Sequence, residues 1–192
     1  PSADKTAKKK NLIIIQSGVH GIEGLTGAGI QNFLLDYLHT GKEKFNNTAF
    51  LYIHLVNPSG TYFYRRTNLN NVDLNRNFVL QKNSFEQKSS DYEKLNDFLN
   101  PQYPFESGFF KKVNFLFDSI SYIYKFSIDT LRRSILKGQY QLPKGIYFGG
   151  DSYQPEMKAL NSIWDATVPG YQKIIYIDLH TGYGEKGKLH LI

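Results

Sequence analysis

Two short segments, far apart in the chain, hold the residue types that could do chemistry. They are His20-Gly21-Ile22-Glu23 near the start and Asp178-Leu179-His180-Thr181-Gly182 near the end. Together they offer two imidazoles and a carboxylate. That is the ligand set of a catalytic zinc ion whose fourth position stays open to water or substrate. Two residues separate His20 from Glu23, so a tight loop can turn both side chains toward one point, and glycines at 18, 21 and 24 let the backbone fold closely around an ion. His180 ends an apolar run, and Asp178, two residues earlier, shares its strand face. Asp178 is placed to orient a ligand or to meet substrate. Alone, His-x-x-Glu is a weak signal, because a loop His and a surface Glu arise in many proteins. A single His at a strand end is ordinarily just a hydrogen-bonded loop residue. The pairing of the two segments is what turns the reading toward one zinc ion and hydrolysis.

A third polar cluster lies between them, at Asn71-Val72-Asp73-Leu74-Asn75-Arg76-Asn77-Phe78. Arg76 carries a planar fork suited to a carboxylate, and Asn75 a second donor. Asp73 can accept the free N–H of a metal-bound imidazole. Arg65 and Arg66, just upstream, add two cations. On charge alone this stretch reads as a solvated loop; its place between two candidate metal motifs favours substrate binding.

These side chains need a scaffold to hold them. Asn11–Gln16 is a short continuous apolar run, as in a strand buried on both faces. Ser17 to Gly29 reads as a Gly-rich loop. Ile30, Phe33, Leu34, Tyr37 and Leu38 repeat at helical spacing, with Gly41 as a stop. Ala49 to Val56 predicts a second strand, and Asn57-Pro58-Ser59-Gly60 a turn. Strand, helix, strand implies a parallel sheet. Residues 61 to 80 look irregular, and 81 to 108 are the least legible. From Phe109 to Leu136 the apolar intervals of three and four predict one long amphipathic helix, its aromatic stripe read as core rather than as a platform for bases. Pro143 to Gly150 reads as a loop, Met157, Leu160 and Trp164 suggest a helix, and Lys173 to Leu179 a third strand that delivers His180.

At 192 residues the chain suits one domain, expected to span 1–192 with a helical insertion at about 81–140. Hydrophobic residues at 41% and aromatics at 15% exclude disorder. The net charge of +6 favours acidic partners, yet the lysines are scattered; the cluster Lys8-Lys9-Lys10 reads as a solvated terminus. No nucleic-acid partner is expected, because that reading would rest on charge alone, and no membrane partner, because no apolar run reaches the ~18 residues of a span. With no cysteine, disulfides, thiolate metal sites and a Cys nucleophile are excluded. There is no Gly-x-Ser-x-Gly elbow and no phosphate-cradling Gly-rich motif. His39 and His54 read as ordinary helix-end and strand residues.

The order His-x-x-Glu, Arg-rich loop, Asp-x-Asn-Arg-Asn, strand-His resembles the zinc carboxypeptidase superfamily. The likeness is to an uncharacterised, mostly bacterial branch near succinylglutamate desuccinylase and aspartoacylase. It rests on Ser17 to Gly24, Asn71 to Phe78, Gly138 through Gly150 and Asp178 to Gly184, and touches nearly the whole chain from residue 11. The resemblance implies a mixed α/β fold, a largely parallel twisted sheet flanked by helices. It implies one Zn²⁺ held by His20, Glu23 and His180, with Asp73 steadying the first ligand His. Asn75 and Arg76 would grip a substrate carboxylate, and Arg65 or Arg66, with Arg66 preferred, would polarise the scissile carbonyl. The expected activity is amide hydrolysis of a small peptide or an N-acyl amino acid. The alternatives are a deacylase proper and a zinc-binding pseudoenzyme that recognises carboxylate termini without cutting. One departure stands out. The family's general-base glutamate lies on a later strand, and only 12 residues follow His180. Glu185 is too close to serve. The expectation is therefore a C-terminal truncation, an incomplete sequence or a chain that has lost the base. A cytoplasmic location is the default expectation, and the oligomeric state is left open.

Overall fold

The β-branched run Ile13-Ile14-Ile15 folds as the middle strand of a three-stranded parallel sheet in the order β2-β1-β3. The computed structural model describes residues 10–41, 45, 47–79, 81–101, 108–182, 184–188 and 190. Lys8 and Lys9, read as a solvated terminus, lie outside the described residues, as do residues 102–107 of the expected insertion. In chain order the main elements are β1 (Asn11–Ser17), α1 (Gly24–Thr40), β2 (Thr48–Ile53), α2 (Pro58–Tyr62), α3 (Ser90–Leu99), α4 (Phe109–Phe126), α5 (Ile128–Lys137), α6 (Pro155–Thr167) and β3 (Lys173–Leu179). The fold is mixed α/β, a parallel sheet with flanking helices, as expected. The chain divides into two compact units, one of residues 1–69 and 155–192, the other of residues 70–154.

In the first unit the register decides where chemistry can occur. Ile13 pairs with Phe50 on one side and Ile175 on the other, and Gln16 pairs with Asp178. Parallel strands end together, so the segments after β1 and β3 leave the same carboxyl edge of the sheet, where α/β proteins place ligands. Leu12, Ile14, Ile15, Val19 and Ile53 are buried. β3 is an edge strand, and Ile174, Ile175, Tyr176 and Ile177 all keep much of their surface exposed. Trp164 of α6 meets Tyr176 edge to face at 5.7 Å.

In the second unit Tyr92 and Leu95 of α3 are fully buried, with Val72, Leu74 and Phe148. Tyr92 donates its hydroxyl hydrogen to the Ile146 carbonyl at 2.7 Å.

Several sequence expectations need correction. The Gly-rich stretch to Gly29 is not all loop: a 3-10 turn covers Gly21–Glu23 and α1 starts at Gly24. Gly27 lies against Ser17, close packing that a larger residue would block. The segment Asn57 to Gly60 is not a simple turn but the start of α2. Asn57 caps it, accepting from Gly60 N at 2.8 Å, and Pro58 takes the first helical position. The second strand is Thr48–Ile53, shorter at its end than Val56. The long helix from Phe109 is two helices, broken at Ser127, whose φ of 63° and ψ of 153° no helix accommodates. Its hydroxyl then caps α5, accepting from Thr130 N at 3.3 Å. The aromatic stripe of α4 is also not core. Phe115 and Tyr122 stack on Phe98 of α3, and Phe126 lies against Tyr122, while Phe110 is 80% and Tyr124 94% exposed.

Candidate metal centre

His20 follows β1 and opens the 3-10 turn that carries Glu23. The turn is held rigidly. Gly21 N donates to the Arg66 carbonyl at 3.3 Å and Ile22 N to the Arg65 carbonyl at 3.0 Å. Thr61 Oγ1 donates to the Gly21 carbonyl at 2.8 Å. Gly21 sits so tightly against Gly60 that a Cβ would overlap its backbone, so glycine is required there. Asn57, fully buried, ties the parts together, its amide lying 3.5 Å from the Val19 carbonyl and 3.4 Å from that of Arg66. Sequence reasoning missed Asn57 by reading it as a turn residue; the signal was there in Asn-Pro, an N-cap followed by a first-turn proline.

His180 reaches the same place from the end of β3. Its Nδ1 lies 3.0 Å from Glu23 Oε2, and His20 Nδ1 lies 3.4 Å from Glu23 Oε1. The imidazole rings are 4.8 Å apart, centre to centre. His180 Nε2 lies 2.9 Å from Asp178 Oδ2, two residues earlier near the end of β3. Both imidazoles thus turn Nδ1 toward one carboxylate, and Asp178 takes the far nitrogen of His180. One donor atom from each of His20, Glu23 and His180 falls within 4.8 Å of the others. Ligand atoms at ~2.0–2.2 Å from a tetrahedral ion stand roughly 3.3 Å from one another. The two histidine–carboxylate separations, 3.4 and 3.0 Å, are of that size and the third lies within 4.8 Å, so the donor set could hold a metal ion.

The electrostatics agree with crowded, complementary groups. Burial pushes the Glu23 carboxyl up, but hydrogen bonds from His180 and His20 outweigh it and hold it at about 2. The bonds to Asp178 and then Glu23 raise His180 to about 9, against the cost of burial. In the metal-free protein His180 is therefore an imidazolium clamped between two carboxylates.

The other expected site residues are placed as follows. Arg65 Nη2 donates to Thr67 Oγ1 at 3.2 Å, and the carbonyls of Arg65 and Arg66 hold the metal-binding turn. Asp73, Asn75 and Arg76 belong to the second unit. There Asp73 is buried and caps a 3-10 turn over Leu74–Arg76, its Oδ1 accepting from Asn75 N at 3.1 Å. The Arg76 carbonyl accepts from the Tyr140 hydroxyl at 2.7 Å, and its side chain packs on Gly138. Asn77, buried and part of the same polar motif but given no role by the sequence, donates to the Gly149 carbonyl at 2.7 Å and accepts from Gln154 N at 2.9 Å.

Fold and site together define a parallel α/β protein with a His-Glu-His centre able to hold a metal ion at the carboxyl edge of its sheet. The chain belongs to the family described as protein of unknown function (DUF2817), whose model matches residues 3–192. No curated protein and no solved structure matches it. Among the described residues no helix is long and apolar enough to cross a membrane.

Proposed function

We propose that this chain is a zinc-dependent hydrolase of the zinc carboxypeptidase type, cleaving amide bonds in carboxylate-bearing substrates. The observation that carries the reading is the convergence of His20 Nδ1, His180 Nδ1 and the Glu23 carboxylate from segments 157 residues apart. His20, Glu23 and His180 would hold the ion. Asp178 keeps the Nε2 proton of His180 engaged and so leaves Nδ1 for the metal. When bound, such an ion polarises a carbonyl and lowers the pKa of water to about 7. Arg66, or its neighbour Arg65, would offer positive charge to the developing oxyanion. Asn75 and Arg76 match, by the resemblance, the pair that would grip a substrate carboxylate.

Small peptides and N-acyl amino acids both present that carboxylate, and the assay that tests the reading also separates them. The chain, loaded with one equivalent of zinc, is offered short peptides and N-acyl amino acids, and free amine is measured with and without chelator. Zinc-dependent amine release from peptides supports a carboxypeptidase, and release from acyl amino acids a deacylase. Stoichiometric zinc with no turnover of either class removes the hydrolase reading and leaves a zinc-binding pseudoenzyme.

A further inference from the structure

Away from the metal centre, a cavity of about 260 Å³ opens in the second unit between the segment leading into α3 and the end of α5. Three cations line it: Lys88 before α3, and Arg133 and Lys137 on α5. Arg133 and Lys137 are four residues apart, so they stand on one helix face and repel each other. No carboxylate among the described residues pairs with any of the three. The one acid in the lining, Asp91, lies 3.6 Å from Lys94. Much of the neutral polar lining is already engaged. Ser89 Oγ accepts from Tyr92 N at 3.2 Å, and Ser134 Oγ donates to the Thr130 carbonyl at 2.9 Å.

We propose that this cavity binds a small phosphate-bearing anion through Lys88, Arg133 and Lys137. Three like charges gathered at one concavity raise the local concentration of anions. A phosphate group brings up to two negative charges and three acceptor oxygens, enough to meet a guanidinium fork and two ammonium groups together. A carboxylate offers one charge and two acceptor oxygens, and would leave more of the cations unmatched. The volume falls just short of the ~300 Å³ at which drug-sized pockets begin, which suits a phosphate with a few carbons attached. The site uses no residue of the metal centre, and its success or failure is independent of the hydrolase reading.

The test is calorimetric titration of the intact chain, stripped of metal, with inorganic phosphate and with glycerol 3-phosphate. Saturable binding of either supports the site. Binding of both identifies the phosphate group alone as sufficient, and binding of the ester only shows that the organic part contributes. Replacing Arg133 and Lys137 together with Gln should weaken binding at least tenfold while leaving the circular dichroism spectrum unchanged. Asp91→Asn removes the one opposing charge and should tighten it. His20→Ala should leave it unaltered. Absence of saturation with both probes up to about 10 mM, well beyond the range of a specific site, would overturn the proposal. So would equal affinity in the doubly substituted chain.

Discussion

His180 must give up a proton before it can hold a metal. Its folded pKa of about 9 lies above its ordinary 6.5, so the clamp on the imidazolium stabilises the metal-free fold fully below pH 6.5 and is lost as pH rises through 9. Glu23, held at about 2 against an ordinary 4.5, stabilises above pH 4.5 and ceases to do so as pH falls through 2. The metal-free cluster therefore contributes most between pH 4.5 and 6.5. Zinc binding at pH 7 should release close to one proton, read as a slope of binding enthalpy against buffer ionisation enthalpy. A zero slope would mean that His180 is not a ligand or is already neutral. Asp178→Asn separates two effects of one carboxylate. Its loss should cost about 10–100-fold in metal affinity through lost orientation, yet lower the His180 pKa and so relieve proton competition. The loss should accordingly be larger at pH 9.5 than at pH 7 in a chelator competition titration. At this scale the sequence was highly legible: residue type and spacing in His20-x-x-Glu23 and Asp178-x-His180 carried the cluster. What they could not carry was which nitrogen faces the metal, because that depends on ring orientation fixed by Asp178.

Elements were legible wherever one period dominated. β1 and β3 are unbroken apolar runs and fold as read, and Gly41 ends α1 as its stop signal implies. Two of the failures share a cause: at Asn57 and Ser127 a local polar bond overrode the period. Ser127 interrupts a pattern that continues smoothly through it, because its hydroxyl can start a new helix while its backbone turns the chain. That backbone lies in a region which non-glycine residues occupy at a cost of about 1–3 kcal/mol, while exchanging a Ser cap for Gly costs only a few tenths. Ser127→Gly should therefore stabilise the chain by roughly 1 kcal/mol in urea unfolding. A loss of stability would mean that the cap outweighs the strain. The aromatic stripe of α4 shows the other limit. Helical spacing predicts a common face, but not whether anything covers it, and Phe110 and Tyr124 remain open.

On the scale of the whole molecule, the metal centre joins segments from opposite ends of the chain, within the unit formed by residues 1–69 and 155–192. An ion there binds only the folded state, because the unfolded chain does not bring residues 20 and 180 together. Zinc at a hundredfold excess over its dissociation constant should then add about 2.7 kcal/mol to stability. His180→Ala should abolish that increment in a denaturation series with and without chelator; a shift that survives the substitution would place the zinc elsewhere. The division into two units was not legible, since apolar periodicity reports faces rather than which faces meet. The net charge of +6 was legible but uninformative, because it is spread over the chain. The central claim is that His20, Glu23 and His180 hold one ion, and anomalous scattering at the zinc edge from crystals of the zinc-loaded protein tests it most directly. The account predicts a single peak at ~2.0–2.2 Å from Nδ1 of both histidines and an oxygen of Glu23; a peak elsewhere, or none at full zinc loading, would contradict it.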